Sequence, residues 1–326
     1  MRIFGKWLGR VLLALLLAVV VIGFVKRDEI ARLWTVNTLF DPDRIVYNFS
    51  HMGDAFPTVP LSRGDGPVST LPKGERMDLP RGTQAWIDDR AVTSLVVLKD
   101  GVLRYEDYYL DTGAEDLRIS WSVAKSYLSA LFGVLLNEGA IDSLDDPVTK
   151  YAPELKDTAY DGASLRNVLN MASGVTFDED YFDPKSDINR MGRVIALGGT
   201  LDGFTTSFFD RHAEPGVTWQ YVSIDTHVIG MVIRGATGRD IPDLLSEKIL
   251  SPLGQEQAGY YLTDGQGTAF VLGGLNSTTR DFARFALMFE QEGRYGDVQV
   301  VPSDWVAQST MASAPTQPGK IGYGFQ

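Results

Sequence analysis

Ile119-Ser-Trp-Ser-Val-Ala-Lys-Ser-Tyr-Leu-Ser129 sets a hydroxyl and an amine, Ser122 and Lys125, three residues apart at a predicted helix start. On a helix, residues i and i+3 share a face, with Cβ atoms about 5–6 Å apart. The two groups can therefore share a hydrogen bond with no further folding. A serine hydroxyl is inert until an adjacent base takes its proton. Lysine serves as that base only where burial or neighbouring positive charge lowers its pKa. Trp121, Val123, Ala124, Tyr127, Leu128, Leu131 and Phe132 supply apolar surroundings. A Ser-x-x-Lys match arises about once by chance in a chain of this length, so the remaining sequence has to decide its meaning.

Working outward, apolar residues recur at three and four over Ser122–Leu136, and Gly139 supplies a stop. Upstream, Thr93-Ser-Leu-Val-Val-Leu98 and Val102-Leu-Arg-Tyr-Glu-Asp-Tyr-Tyr109 flank Lys99-Asp-Gly101, a hairpin signal with a tight primed turn. Downstream the pattern is helical. Leu144-Asp-Asp-Pro147 opens a short helix and 164–171 forms another. Further helices are predicted at 186–198, 223–236, 240–250, 279–292 and 302–312. A lone hairpin is marginal without added strands, and none is visible before Gln326.

The chain has 326 residues, 44% hydrophobic and 22% charged, enough for one large core or two modest ones. A net charge of −12 argues against nucleic acid or an anionic membrane surface as partner. Without cysteine there are no disulfides and no thiolate chemistry. Three scattered histidines (His51, His212, His227) do not make a His-rich metal site. Neither a metal nor an organic cofactor is expected.

Residues 1–27 differ from the rest. Arg2, Lys6 and Arg10 precede the uncharged run 11–25, which Lys26-Arg27 closes. These five cations, with no acid among residues 1–27, leave the remainder at −17. Fifteen residues reach roughly 22 Å, and Trp7, Leu8 and a snorkelling Arg10 extend the span. No small-x-small cleavage site follows, so an uncleaved signal anchor is favoured over a cleaved signal peptide. The charge bias puts the body outside the bacterial cytoplasmic membrane, on the periplasmic side, behind a single-pass anchor. Residues 28–92, rich in Pro, Gly, Asp and Arg, read as a stalk and a loop-rich lead-in, and 93–326 as the main domain.

A second feature is Tyr221-Val-Ser223, which follows the turn-former Pro215-Gly216 and precedes a helix. Ser223 reads as its N-cap, leaving Tyr221 free to point into a cleft. A tyrosine near a lysine can pass protons to a leaving group, particularly if that cation lowers its pKa. Ser122-Val-Ala-Lys125 with Tyr221-Val-Ser223 resembles the penicillin-recognising serine hydrolases. Within them the chain is similar to the class C β-lactamase, DD-peptidase and esterase branch. The frame around the motifs agrees: Gly139–Val148, Leu165–Gly174 and Gly273–Phe285. Ser173–Tyr181, a Ser-Gly-Val-x-Phe-Asp-Glu-Asp-Tyr run, brings it nearest the 6-aminohexanoate-oligomer hydrolases.

The resemblance implies an α+β fold of the β-lactamase/transpeptidase type, an antiparallel sheet flanked by helices plus a mostly helical subdomain. It implies hydrolysis of an amide or ester bond of a small substrate through an acyl-enzyme. Ser122 would be the nucleophile, Lys125 its base and Tyr221 the proton donor, with the Ser122 N–H as one oxyanion donor. Tyr181, Asn276 and Ser223 match substrate-binding positions. Asp178, Glu179 and Asp180 read as a solvated acidic face, and His227 as a packing or surface residue. The family's third motif, Lys/His-Thr/Ser-Gly, has only Lys320-Ile-Gly322 as a near match, and that reads as a loop. The motif and the strands that would join the hairpin are expected after Gln326, so the chain reads as C-terminally shortened. The competing expectations are activity on cell-wall peptides or β-lactams, or a regulatory protein that kept the fold and lost the chemistry. An α/β-hydrolase is excluded because no Gly-x-Ser-x-Gly elbow exists.

Overall fold

The computed structural model describes residues 2–326, with side chains for Trp7 and residues 9–326. Arg2 and Lys6, which carry part of the charge asymmetry, therefore have side chains outside those described. The apolar run forms α1 (Arg2–Val25), whose large apolar side chains from Leu12 to Val25 are exposed, and α2 (Arg27–Asn37) leaves it at a bend of 73°. Among the described residues no single helix is long and apolar enough to cross a membrane. Gly9–Val25 and Arg27–Asn37 pass that test only together, by length and composition.

The lead-in departs from the loop-rich expectation. It holds α2, α3 (Ile45–Ser50), α4 (Met52–Ala55) and α5 (Thr83–Asp89), the last three too short to show a clear period in sequence. Rather than standing off as a stalk, α2 lies on α8 (Asp187–Ala196), and Arg32 Nε donates to the Ala196 carbonyl at 2.8 Å. Leu39, Met52, Phe56 and Leu61 enter the common core.

Apart from the hairpin, four short strands that the sequence does not announce form an antiparallel sheet. Its order is β1 (Thr58–Pro60), β5 (Tyr260–Leu262), β6 (Leu275–Ser277), β4 (Arg118–Ile119). Two- and three-residue strands are too brief to alternate visibly, so only tertiary pairing reveals them. The hairpin β2 (Ser94–Lys99) and β3 (Val102–Tyr108) turns where it was predicted. Asp100 (φ 53°) and Gly101 (φ 73°) both adopt the left-handed conformation that a primed turn requires. Among the described residues no further strand pairs with it. The lead-in runs beside it instead, with Leu103 N–H donating to Pro72 O at 2.7 Å.

Helices dominate the chain, at 42% of residues against 11% in strands. Helix α6 (Val123–Asn137) is the central one, burying Tyr127, Leu128, Leu131, Phe132 and Leu135. Around it follow α7 (Leu165–Leu169), α9 (Leu201–Thr205), α10 (Ser223–Thr237), α11 (Ile241–Leu245), α12 (Ser251–Leu253), α13 (Thr279–Glu290) and α14 (Ser303–Thr310). A small hairpin of β7 (Arg294–Tyr295) and β8 (Val298–Gln299) links the last two. The helix predicted at 240–250 changes to a π turn over Ser246–Leu250. Leu144–Pro147 leads only into a 3-10 turn, Val148–Lys150. The fold is α+β of the β-lactamase/transpeptidase type, as the sequence implies.

Candidate active site

Strand β4 ends at Ile119 and α6 begins at Val123, so Ser122 sits at the strand-to-helix turn as the exposed N-cap residue. The turn is strained: Trp121 has φ 44°, a left-handed conformation costing a bulky L residue roughly 1–2 kcal/mol. Surrounding contacts hold it there. Phe40 of the lead-in stacks on Trp121 at 5.6 Å between ring centroids, and Phe49 meets it edge-on at 5.4 Å.

Lys125 is one helical turn on and only 3% exposed. Its Nζ lies 3.2 Å from Ser122 Oγ and donates to the Leu272 carbonyl at 2.7 Å. Burial pushes its pKa down to about 8, and the negative charge of Glu179 pushes partly back. On the other side Tyr221 Oη donates to Ser122 Oγ at 2.8 Å, and the Lys125 ammonium position is 5.5 Å from the Tyr221 ring centroid. Ninety-nine residues separate Ser122 and Tyr221 in sequence, and the fold brings them into one hydrogen bond. A lysine nearby would lower the pKa of Tyr221. Burial instead raises it, outweighing the Tyr221–Ser122 hydrogen bond, and the Glu179 charge adds to the rise.

The other candidates scatter. Ser223 is the first residue of α10, with Val222 as the N-cap, so it does not cap the helix. Its hydroxyl donates instead to Glu179, as does its N–H, at 3.0 Å to Oε2. Tyr181 is 53% exposed, with its hydroxyl donating to Glu179 Oε1 at 2.7 Å, and burial of its ring raises its pKa. Asn276 is fully buried on β6, bonded through Nδ2 to Gly274 O at 2.9 Å, and makes no hydrogen bond to Ser122, Lys125 or Tyr221. Lys320-Ile-Gly322 is exposed turn and coil, and beyond it Tyr323 meets Tyr221 edge-on at 6.5 Å.

Three residues near the trio carry weight that the sequence did not reveal. Glu179 was read as part of a solvated acidic face. Asp178 and Asp180 are indeed exposed, but Glu179 is half-buried and holds Ser223 and Tyr181. Asp225 is fully buried in the first turn of α10, accepting from Tyr160 at 2.9 Å and Ser173 at 2.8 Å, and burial pushes its pKa up to about 7. The spacing of Asp225 from Tyr221 was visible, but nothing local marks a buried acid. Phe40 lies 81 positions before Trp121, beyond reach of any local pattern. His227 is not at the surface: it is 1% exposed and bonds Asp202 through Nε2 at 2.7 Å. It also lines a cavity of about 200 Å³ behind α10, with Arg234 and Asp240, that none of Ser122, Lys125 and Tyr221 touches.

Comparison with known proteins identifies the family. The family described as Beta-lactamase matches residues 85–326. The 6-aminohexanoate-dimer hydrolase of Paenarthrobacter ureafaciens is 30% identical over 268 residues, covering 79% of this chain and 68% of that protein. Esterase EstB of Burkholderia gladioli is 26% identical, over 43% of this chain and 37% of its own length. A solved structure titled as a putative 6-aminohexanoate-dimer hydrolase from Bacillus anthracis superposes with a TM-score of 0.77. It covers 88% of this chain and 80% of that one at 23% identity, which speaks to the fold alone. With most of its length matched by the family and a helix-start serine flanked by a buried lysine and a tyrosine, this chain belongs to the beta-lactamase family and is a serine hydrolase of that superfamily.

Proposed function

We propose that Ser122 is the acylated nucleophile, Lys125 its general base and Tyr221 the proton donor in hydrolysis of a small amide or ester. The neutral Lys125 amine donates to Leu272 O and turns its lone pair to Ser122. As Ser122 Oγ bonds to the substrate carbonyl carbon, its proton passes to Lys125 Nζ. The N–H of Ser122, at the start of α6, faces the developing oxyanion. Tyr221 Oη then protonates the departing amine or alkoxide as the C–N or C–O bond breaks. Water attacks the acyl-enzyme, one of its protons returning to Tyr221, and the Lys125 proton goes back to Ser122 Oγ as that ester bond breaks. The observation that carries this reading is Ser122 Oγ lying within hydrogen-bond reach of both Lys125 Nζ and Tyr221 Oη.

Linear amides or esters are favoured as substrates over β-lactams. What supports this is Tyr181, half-exposed on the 173–181 run, and the relative named for the 6-aminohexanoate dimer. A fluorophosphonate or penicillin, followed by intact-mass analysis, tests the nucleophile: the wild type should be labelled and Ser122→Ala should not. Equal labelling of the two sinks the assignment.

Helix α1, within residues 1–27, is read as a membrane tether that holds the domain of residues 93–326 on the outer face of the bacterial cytoplasmic membrane. The support is the row of exposed apolar side chains from Leu12 to Val25. The full chain should float with liposomes in a density gradient while residues 28–326 stay at the bottom. Flotation of both, or of neither, contradicts the tether.

A further inference from the structure

We propose that Glu179 is a positioning residue of this reaction, locking the start of α10 to the 173–181 segment and fixing a negative charge beside Ser122, Lys125 and Tyr221. The inference rests on the assignment of Ser122, Lys125 and Tyr221 given above. Both carboxylate oxygens are engaged. Oε2 accepts from the Ser223 N–H at 3.0 Å, and Oε1 accepts from the Ser223 hydroxyl and from Tyr181 Oη at 2.7 Å. An N–H at a helix start has no intrahelical acceptor, and a carboxylate there meets both its hydrogen-bonding need and the positive end of the helix dipole. Ser223 is 1% exposed and two residues from Tyr221, so pinning Ser223 fixes the backbone that aims the Tyr221 hydroxyl at Ser122.

The charge acts as well as the geometry. The groups that face Glu179 are Ser223, Tyr221 and Asp225 from α10 and its lead-in, Lys125 from α6, and Tyr181 from its own segment. The Glu179 charge raises the pKa of Lys125, Tyr221, Asp225 and Tyr181. Without it, the proton affinities of Lys125 and Tyr221 both fall. Lys125 must be neutral to act and Tyr221 must hold its proton, so the whole activity window slides toward acid. Asp225 gains its own charge only above about 7, so it adds to the field of Glu179 on the alkaline side and not the acid side.

The test uses the full chain, a fluorophosphonate for the acylation rate and p-nitrophenyl acetate for turnover, each from pH 5 to 10. Glu179→Gln keeps an acceptor for Ser223 and loses the charge. It should retain at least a third of the wild-type acylation rate on its plateau, with the acid midpoint moved down by a few tenths of a pH unit or more. Glu179→Ala also frees the α10 start and should lose 10- to 100-fold in kcat with KM little changed. Wild-type rates and midpoints in both variants overturn the proposal. So does a Gln variant as impaired as the Ala variant with an unmoved midpoint, since that is a purely structural role. If Glu179→Ala does not fold by circular dichroism, the Gln profile decides alone. Labelling of Ser122→Ala in the same series would instead strike the nucleophile assignment, leaving the two failures distinguishable.

Discussion

Lys125 occupies a place where an ammonium is poorly tolerated. Its amine titrates near 8 in the folded chain and near the ordinary 10.5 when unfolded, so the native state binds fewer protons across that window. Stability therefore rises as pH climbs from about 8 to 10.5, and below 8 the full cost of the buried charge is present. Lys125→Met should abolish turnover yet raise stability at pH 7, by at most about 3 kcal/mol, with the gain fading above pH 8. Urea denaturation at pH 7 and 10 checks it; a variant less stable than wild type at pH 7 contradicts the argument. The same residue explains what was legible here. The spacing of Ser122 and Lys125 on one helix face is visible in sequence, and Tyr221-Val-Ser223 with the motifs around it gives that spacing its meaning. Glu179 and Asp225 carry no such mark, because an acid's burial depends on what folds over it.

At the scale of elements, close packing decides where helices can meet. Gly133, midway along α6, faces Trp305 of α14, and a Cβ there would lie 2.2 Å from the indole Cγ. Alanine has the better helix propensity by about 1 kcal/mol, but overpacking a filled core costs typically 1–3 kcal/mol. Gly133→Ala should accordingly destabilise, lowering the urea midpoint with the m-value unchanged; a raised midpoint would sink this account. Long helices such as α6, α10 and α13 were legible because three to four turns of apolar spacing build a period, and the β2–β3 hairpin because Asp100-Gly101 names its own turn. The four-strand sheet was not, since strands like Arg118–Ile119 exist only through their partners.

Across the whole molecule, the lead-in reaches the turn that carries Ser122. Phe40 is 56% exposed, so it contributes little to the core, yet its ring stacks on the strained residue immediately before Ser122. Arg118 ties the same region to the hairpin, donating to Val46 O at 2.8 Å, to Ser50 Oγ at 2.6 Å and to Thr93 Oγ1 at 3.1 Å. Strain kept at a functional turn must be held by its surroundings. Phe40→Ala should lower kcat/KM with p-nitrophenyl acetate about tenfold while costing no more than about 1 kcal/mol of stability. Unchanged turnover would show that Trp121 keeps its conformation without the stack.

The sequence by itself determined the fold class, the serine-hydrolase family and the three residues proposed for the chemistry. The Ser122–Lys125 pair is written in local spacing, i and i+3 on one helix, whereas the family, the fold class and the part given to Tyr221 rest on the resemblance carried by several motifs together. Tertiary structure alone decided that Ser122 and Tyr221 share a hydrogen bond, that Glu179 binds the start of α10, that Asn276 is enclosed in the sheet, and that Phe40 stacks on Trp121. The reason is physical. Spacing fixes which face of an element a side chain occupies, whereas burial, charge and contact depend on partners tens of residues away that only the folded chain brings near.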